Sequence, residues 1–368
     1  MIKRASIFIL TTMVCFCAFA RGQAITYITL KSKAAQIKPK EYFIASIEDD
    51  RAGKSSVGKL QPYVLSAGKP GQAYSIDIKD GFKGVKTFIN ESTFADKSMR
   101  PVLIKFKNLN VEEANAEKGA VTGAIKLNIE YYLIHPFDTL ALTNYNTTIK
   151  YKRKSGPATQ VEPMISDALT NAVTYLNNWM NEQAATNLKL ARAVRLMFND
   201  YNEPAEDDTI YYSVKRPLTW SDFKARPAKT SRFGAEIFAG FGYDEDTQIN
   251  NGIITVTLDL KVWTAKSACW VTAGTKTDYA LNHEQRHFEI AKLAAEHFKQ
   301  RLLNQKLPVD NFDGEINVAY LDAMREMHTM QKTYDDDTQH SGNTYQQQAW
   351  NIRIDKELES YGIKRQNI

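Results

Sequence analysis

The chain has 368 residues, 43% of them hydrophobic and 24% charged, which is the composition of a globular protein able to bury a sizeable core. Its length suits two domains. With 47 Lys and Arg against 42 Asp and Glu, the formal charge is +5, too mild an excess to point to nucleic acid or a membrane surface.

Residues 1–23 read as a secretory signal peptide. Lys3 and Arg4 give a charged start, residues 7–17 an apolar run too short to span a bilayer, and Ala18-Phe19-Ala20 a cleavage site. The mature chain is expected to begin near Arg21, in the periplasm or secreted, with no transmembrane helix. Cys15 and Cys17 leave with the signal, so Cys269 remains alone and no intramolecular disulfide is expected. Nothing beside Cys269 would depress its pKa, so it reads as a small buried residue.

Residues 24–185 read as a β-rich domain. Ile125, Leu127, Ile129, Tyr131 and Leu133 alternate with polar or edge positions, as do Val102, Ile104 and Phe106, and both runs predict half-buried strands. A short apolar run, 42–47, ends in Glu48-Asp49-Asp50-Arg51. Ile165, Leu169, Val173, Leu176 and Met180 then recur at helical spacing behind Pro163, predicting a helix over 165–183 that packs on the sheet.

Residues 186–368 read as a second domain. Residues 193–198 and 210–214 are candidate strands flanking an acidic loop, 203–208. Ile254, Val256, Leu258, Leu260 and Val262 alternate with Thr255, Thr257, Asp259 and Lys261, a clear strand. A long helix follows over 279–303, free of Gly and Pro. Val318, Leu321, Met324 and His328 predict the packed face of a helix over 315–332. The polar segment 334–342 reads as a turn. A last helix over 345–358 carries Trp350, Ile354 and Leu358.

The long helix holds His283-Glu284-Gln285-Arg286-His287, an H-E-x-x-H pattern. Two imidazoles four residues apart share one helix face and can reach one tetrahedral zinc, and the glutamate beside them can take a proton from its water. Zinc is therefore the expected cofactor, His283 and His287 two of its ligands, and Glu284 the general base. A catalytic site needs a third protein ligand. The longer pattern with Gly and His further along is missing, because Ile290 and Leu293 occupy those positions. His297 lies about 15 Å beyond His287 along the helix, too far to share the ion. His340, in a turn beside Gly342, is favoured as third ligand, with His328 or an acidic residue (Glu326, Asp335 or Asp337) as alternatives. Asp335 and Asp337 are also candidates to orient the ligand histidines. Tyr334 or another nearby donor is expected at the developing oxyanion, and the edge of the strand over 253–262 is expected to take an extended substrate.

Three segments, Leu218-Thr219-Trp220-Ser221-Asp222-Phe223, His283-Glu284-Gln285-Arg286-His287-Phe288 and Tyr334-Asp335-Asp336-Asp337-Thr338-Gln339-His340, resemble a bacterial family of uncharacterised domains described as predicted secreted zinc-dependent proteases. The resemblance spans roughly residues 190–365, with Ser341 inserted between His340 and Gly342. It implies a zincin-like α+β metallopeptidase domain behind the β-rich one. The expected function is a periplasmic or secreted zinc metallopeptidase using a zinc-activated water, with a protein or peptide substrate. The stretch 47–58 resembles envelope lipoprotein domains, which implies a cell-envelope partner for the first domain. The alternative is a non-catalytic envelope binding or assembly module with a structural or silent zinc site.

Overall fold

The computed structural model describes residues 25–31, 37–54, 56–61, 73–115, 120–154, 156–201, 207–227 and 233–364. The expected signal, 1–23, and most of the acidic loop lie outside them. The chain divides into two units, Met1–Glu182 and Gln183–Ile368, each an α+β structure with its own sheet.

The first unit is built on a seven-stranded mixed sheet. Its strands are β1 (Thr26–Ile28), β2 (Tyr42–Asp49), β3 (Gly58–Leu60), β4 (Tyr74–Ile78), β5 (Arg100–Asn115), β6 (Ala120–Ile134) and β7 (Thr139–Lys154). Long β5 pairs antiparallel with β6 on one edge. Its other edge is shared end to end by β2, opposite residues 100–106, and β3, opposite Val111 and Glu112. Gly58 is required at that junction: its φ is +153°, and a Cβ there would sit 2.1 Å from the Val111 carbonyl oxygen. The apolar alternation of β6 faces the core. Helix α1 (Phe82–Glu91) buries Val85, Phe88 and Ile89, and α2 (Glu162–Gln183) buries the predicted stripe from Ile165 to Met180. The Tyr131 hydroxyl donates to the Ala172 carbonyl at 2.8 Å and ties sheet to helix.

In the second unit, β11 (Ala239–Asn250) and β12 (Ile253–Ala265) form a hairpin. Its turn residues Asn251 (φ 51°) and Gly252 (φ 72°) adopt the left-handed pair that matches strand twist. β8 (Ala193–Asp200) lies parallel to one end of β12, and β9 (Thr209–Tyr211) antiparallel to the other end. Both edges of β12 are therefore taken, which removes the expected substrate edge over 253–262. Two-residue strands β10 (Ala235–Glu236) and β13 (Trp270–Val271) pair separately.

Helix α3 (Asp278–Leu303) lies between this sheet and helices α4 (Phe312–Thr338) and α5 (Thr344–Ser360). Phe288, Ala291, Ala294, Phe298 and Leu302 join the sheet-side core with Val256 and Leu258. Ile290 and Leu293 join Tyr334, Trp350, Ile354 and Leu358 on the other side. Layers on both sides explain why every residue from His283 to Glu296 is buried, a burial that costs polar side chains unless they are paired. Lys292 meets Asp200 at 2.8 Å and Glu296 at 2.9 Å, and Arg286 meets Glu289 at 2.8 Å and also Asp355. No described helix is long and apolar enough to cross a membrane.

Helix α4 corrects two expectations. It continues through Tyr334–Asp337 to Thr338, where a turn was expected. No Gly or Pro lies between Gly314 in its first turn and Gly342, and the Thr338 hydroxyl bonds back to the Tyr334 carbonyl at 2.6 Å. Its packed face is also different. Ile316, Ala319, Ala323 and Met327 are buried, whereas Val318, Leu321 and His328 are exposed. Of the expected stripe only Met324 is half-buried and packs against the core.

Candidate metal centre

Thr277 caps α3 by accepting the Ala280 N–H at 3.1 Å, and no proline or glycine interrupts the turns that follow. His283 and His287 then stand one turn apart, 3% and 7% exposed. Their Nε2 atoms converge on a single carboxylate oxygen, Asp335 Oδ1 on α4, at 3.2 and 2.9 Å. Behind them, His283 Nδ1 meets Gln347 Oε1 of α5 at 2.9 Å, and His287 Nδ1 meets Gln331 Oε1 of α4 at 2.6 Å. The amide orientations are fixed by their other bonds: Gln347 Nε2 donates to the Tyr334 hydroxyl and to Asn351 Oδ1 at 3.1 Å. An amide oxygen only accepts, so each Nδ1 carries a proton; Nε2 of each ring faces Asp335, and a cation placed there would take its lone pair in place of a proton.

Three lone-pair donors facing one another suit a cation. The donor atoms of His283, His287 and Asp335 lie within 4.8 Å of one another. Ligands held at roughly 2.0–2.1 Å in a tetrahedron stand about 3.3–3.4 Å apart. The two Nε2–Oδ1 distances, 3.2 and 2.9 Å, are close to that spacing. Two imidazoles and a carboxylate are the donor types zinc takes, so the residues present fit the ion.

The electrostatics follow from burial and from the histidines. Burial pushes the Asp335 carboxyl up, but hydrogen bonds from His283 and His287 outweigh it and hold it well below the usual carboxylate range. Burial opposes a charge on His287, yet Asp335 raises its pKa above the ordinary histidine value. Glu284 is 5% exposed, and burial raises its pKa against the pull of the two imidazoles. It lines a cavity of about 380 Å³ together with His283, His287, Asp335 and His340. Ala235, Glu236 and Ile237 line the same cavity, and the Ile237 N–H bonds to the Glu284 carboxylate.

Tyr334 does not line this cavity. It is fully buried, its ring stacks on His283 at 4.7 Å, and its hydroxyl donates to the His283 carbonyl at 3.4 Å. It supports the histidines by stacking and through the His283 carbonyl. His340 sits at the mouth, 41% exposed at its side chain, with Nδ1 at 3.3 Å from Asp335 Oδ1 and its ring on Phe233 at 4.0 Å. It lies outside the three-donor cluster, and the third position among the closest donors goes to Asp335. Gln339, His340 and Ser341 all hold positive φ, 50°, 48° and 68°. Left-handed backbone costs each non-glycine residue about 1–2 kcal/mol, so this turn is strained where it carries His340 to the site.

The other candidates are placed elsewhere. His328 is exposed on α4. Asp337 accepts the Trp350 indole N–H at 2.9 Å. Glu326 and Glu357 hold His297 at 2.7 and 2.8 Å, away from the centre, as helix rise requires. Cys269 is 2% exposed, and burial raises its thiol pKa. The Leu218–Phe223 segment buttresses α3: the Leu218 N–H donates to Gln285 Oε1 at 2.8 Å, and Asp222 pairs with Arg216 at 2.8 Å. Sequence reasoning missed Gln331 and Gln347. Gln331 stands one turn before Asp335, a spacing that could have found it; Gln347 carries no such signal.

No curated protein matches this chain. Among solved structures, protein XCC0632 from Xanthomonas campestris, of family DUF330, is 11% identical, covering 44% of this chain and 99% of that one at a TM-score of 0.30. A crystal structure of an uncharacterized protein is 9% identical, covering 40% and 97% at a TM-score of 0.24. Residues 253–341, which hold both histidines, Glu284 and Asp335, match the family described as "Bacterial protein of unknown function (DUF922)".

Proposed function

We propose that residues 186–368 form a zinc-dependent hydrolase of peptide bonds, acting in the periplasm or outside the cell. The observation that carries this reading is the convergence of His283 Nε2 and His287 Nε2 on Asp335 Oδ1, with both Nδ1 protons held by glutamines. His283, His287 and Asp335 would hold the ion. When bound, zinc would polarise a substrate carbonyl and acidify a water. Glu284, buried beside both histidines, takes the proton of the attacking water and returns it to the leaving amine. The Ile237 N–H holds the Glu284 carboxylate in place. Ala235 and Glu236 line the cavity where an extended peptide would lie, whereas both edges of β12 are paired.

The test is metal content and peptide hydrolysis measured on the same preparations. About one zinc per chain is expected, lost in His283→Ala, His287→Ala and Asp335→Ala and kept in His340→Ala. Glu284→Gln should keep zinc and lose peptidase activity by about a hundredfold or more. A chain that takes up no zinc on reconstitution, or Glu284→Gln turning over normally, would sink the reading.

One observation favours a second reading, a binding module with a structural metal. His340 Nδ1, 3.3 Å from Asp335 Oδ1, is placed to add a fourth protein ligand and close the site. Zinc lost in His340→Ala, with no peptidase activity in the unsubstituted chain, would select it.

A further inference from the structure

A second and larger cavity, about 790 Å³, lies on the side of α3 away from the metal centre. Asp278, Leu281, Asn282, Gln285 and Glu289 line it, whereas Ala280, His283, Glu284 and His287 line the first. At 3.6 residues per turn these two sets point roughly 180° apart. The exposed first turn of α3 borders both cavities, Asp278 lining the second and Tyr279 the first.

The chemistry of the second cavity is one-sided. Four carboxylates line it (Asp278, Glu289, Asp355 and Glu359), and among its described lining residues there is no Lys, Arg or His. Arg286 reaches Glu289 and Asp355 from behind, leaving Asp278 and Glu359 exposed. Val214, Leu281 and Ile363 provide apolar wall. The carboxylates repel an anion, and a purely aliphatic ligand would leave them without a partner. The lining suits a ligand with cationic heads on an apolar body.

We infer that this cavity binds a segment of peptide in which basic and apolar residues are interspersed, and that it selects substrates of that composition. The word substrate rests on the hydrolase reading above; the ligand class does not. A helix with its side chains is about 10–12 Å across, and an extended residue spans about 3.3–3.6 Å. A chain crossing the first turn of α3 therefore reaches the second cavity about three to four residues from the bond held at Glu284.

The test uses the full chain freed of metal by a chelator, and two fluorescein-labelled hexapeptides, one alternating Leu with Arg and one alternating Leu with Glu. Fluorescence anisotropy should show the Leu/Arg peptide binding at least about tenfold more tightly, with affinity falling as salt rises. Asp278→Lys and Glu359→Lys should each weaken it by about fivefold. Both positions are exposed, and neither belongs to the network of Asn282, Gln347 and Arg286 behind the histidines. Equal affinity for the two peptides, or no change in either variant, overturns the inference. Affinity that rises about tenfold when the chain is cut back to Lys364 assigns the cavity to the chain's own Arg365–Ile368 and overturns it too. With zinc restored, a Leu/Arg peptide that binds and is not cleaved overturns the hydrolase reading alone. Cleavage of both peptides with equal affinity overturns the cavity assignment alone.

Discussion

The amide of Gln347 is 1% exposed and serves two neighbours at once. Its oxygen accepts the His283 Nδ1 proton and its nitrogen donates to the Tyr334 hydroxyl. Gln347→Leu keeps the volume and removes both bonds, so His283 loses the partner that fixes its tautomer. Zinc affinity should fall about 10–100-fold, read by competition against a chromophoric chelator. An affinity unchanged in Gln347→Leu would mean that packing against Tyr334 alone orients the ring. At this scale the sequence was legible where chemistry is tied to spacing: His283, Glu284 and His287 follow from one helical turn. Asp335 was legible only as one acid among several, because nothing local distinguishes it from Asp336 and Asp337. The structure separates them by helical phase, since Gln331 and Asp335 point one way and the Asp336 carboxylate pairs outward with Lys332. Tyr334, one residue before Asp335, stands about 100° away around the helix and stacks on His283.

Among the elements, β6 and β12 declare themselves by strict alternation, and α3 by its unbroken run. β7 and β11 do not. β7 is half-exposed along nearly its whole length, so its order comes from pairing with β6 over 139–154 rather than from an apolar face. What β7 does bury is a charge. Arg153 makes a bidentate pair with Glu113 of β5 at 2.7 and 2.8 Å, with the two side chains 6% and 0% exposed. The Tyr151 hydroxyl and the Gln61 N–H complete the carboxylate's bonds at 2.8 and 2.9 Å. Glu113→Ala strands a guanidinium and should cost about 3–5 kcal/mol of unfolding free energy. The double variant Glu113→Leu with Arg153→Leu should recover most of that loss, because the buried ion pair itself contributes little beyond an apolar replacement. Chemical denaturation of the three chains checks both claims, and a double variant as weak as the single would show that the pair is itself stabilising.

For the whole molecule, the chain divides into two units, and the three donors that could hold a metal come from α3 and α4 of the second. Sequence composition could suggest two domains but not where polar side chains would be held at the centre of one of them. Burying Arg286, Glu289, Lys292 and Glu296 on α3 costs stability that their pairing only partly returns. A bound cation adds to that balance, because an ion that binds the folded unit and not the unfolded chain stabilises it by about 2.7 kcal/mol at a hundred times its Kd. For a unit of this size that is roughly 5–10 °C in Tm. Zinc titrated into the full chain should therefore raise the melting transition of the second unit by that amount and leave the transition of the first where it was. Asp335→Ala should abolish the shift. A shift that survives Asp335→Ala would place the ion elsewhere; a shift in both transitions would mean that the two units do not unfold independently.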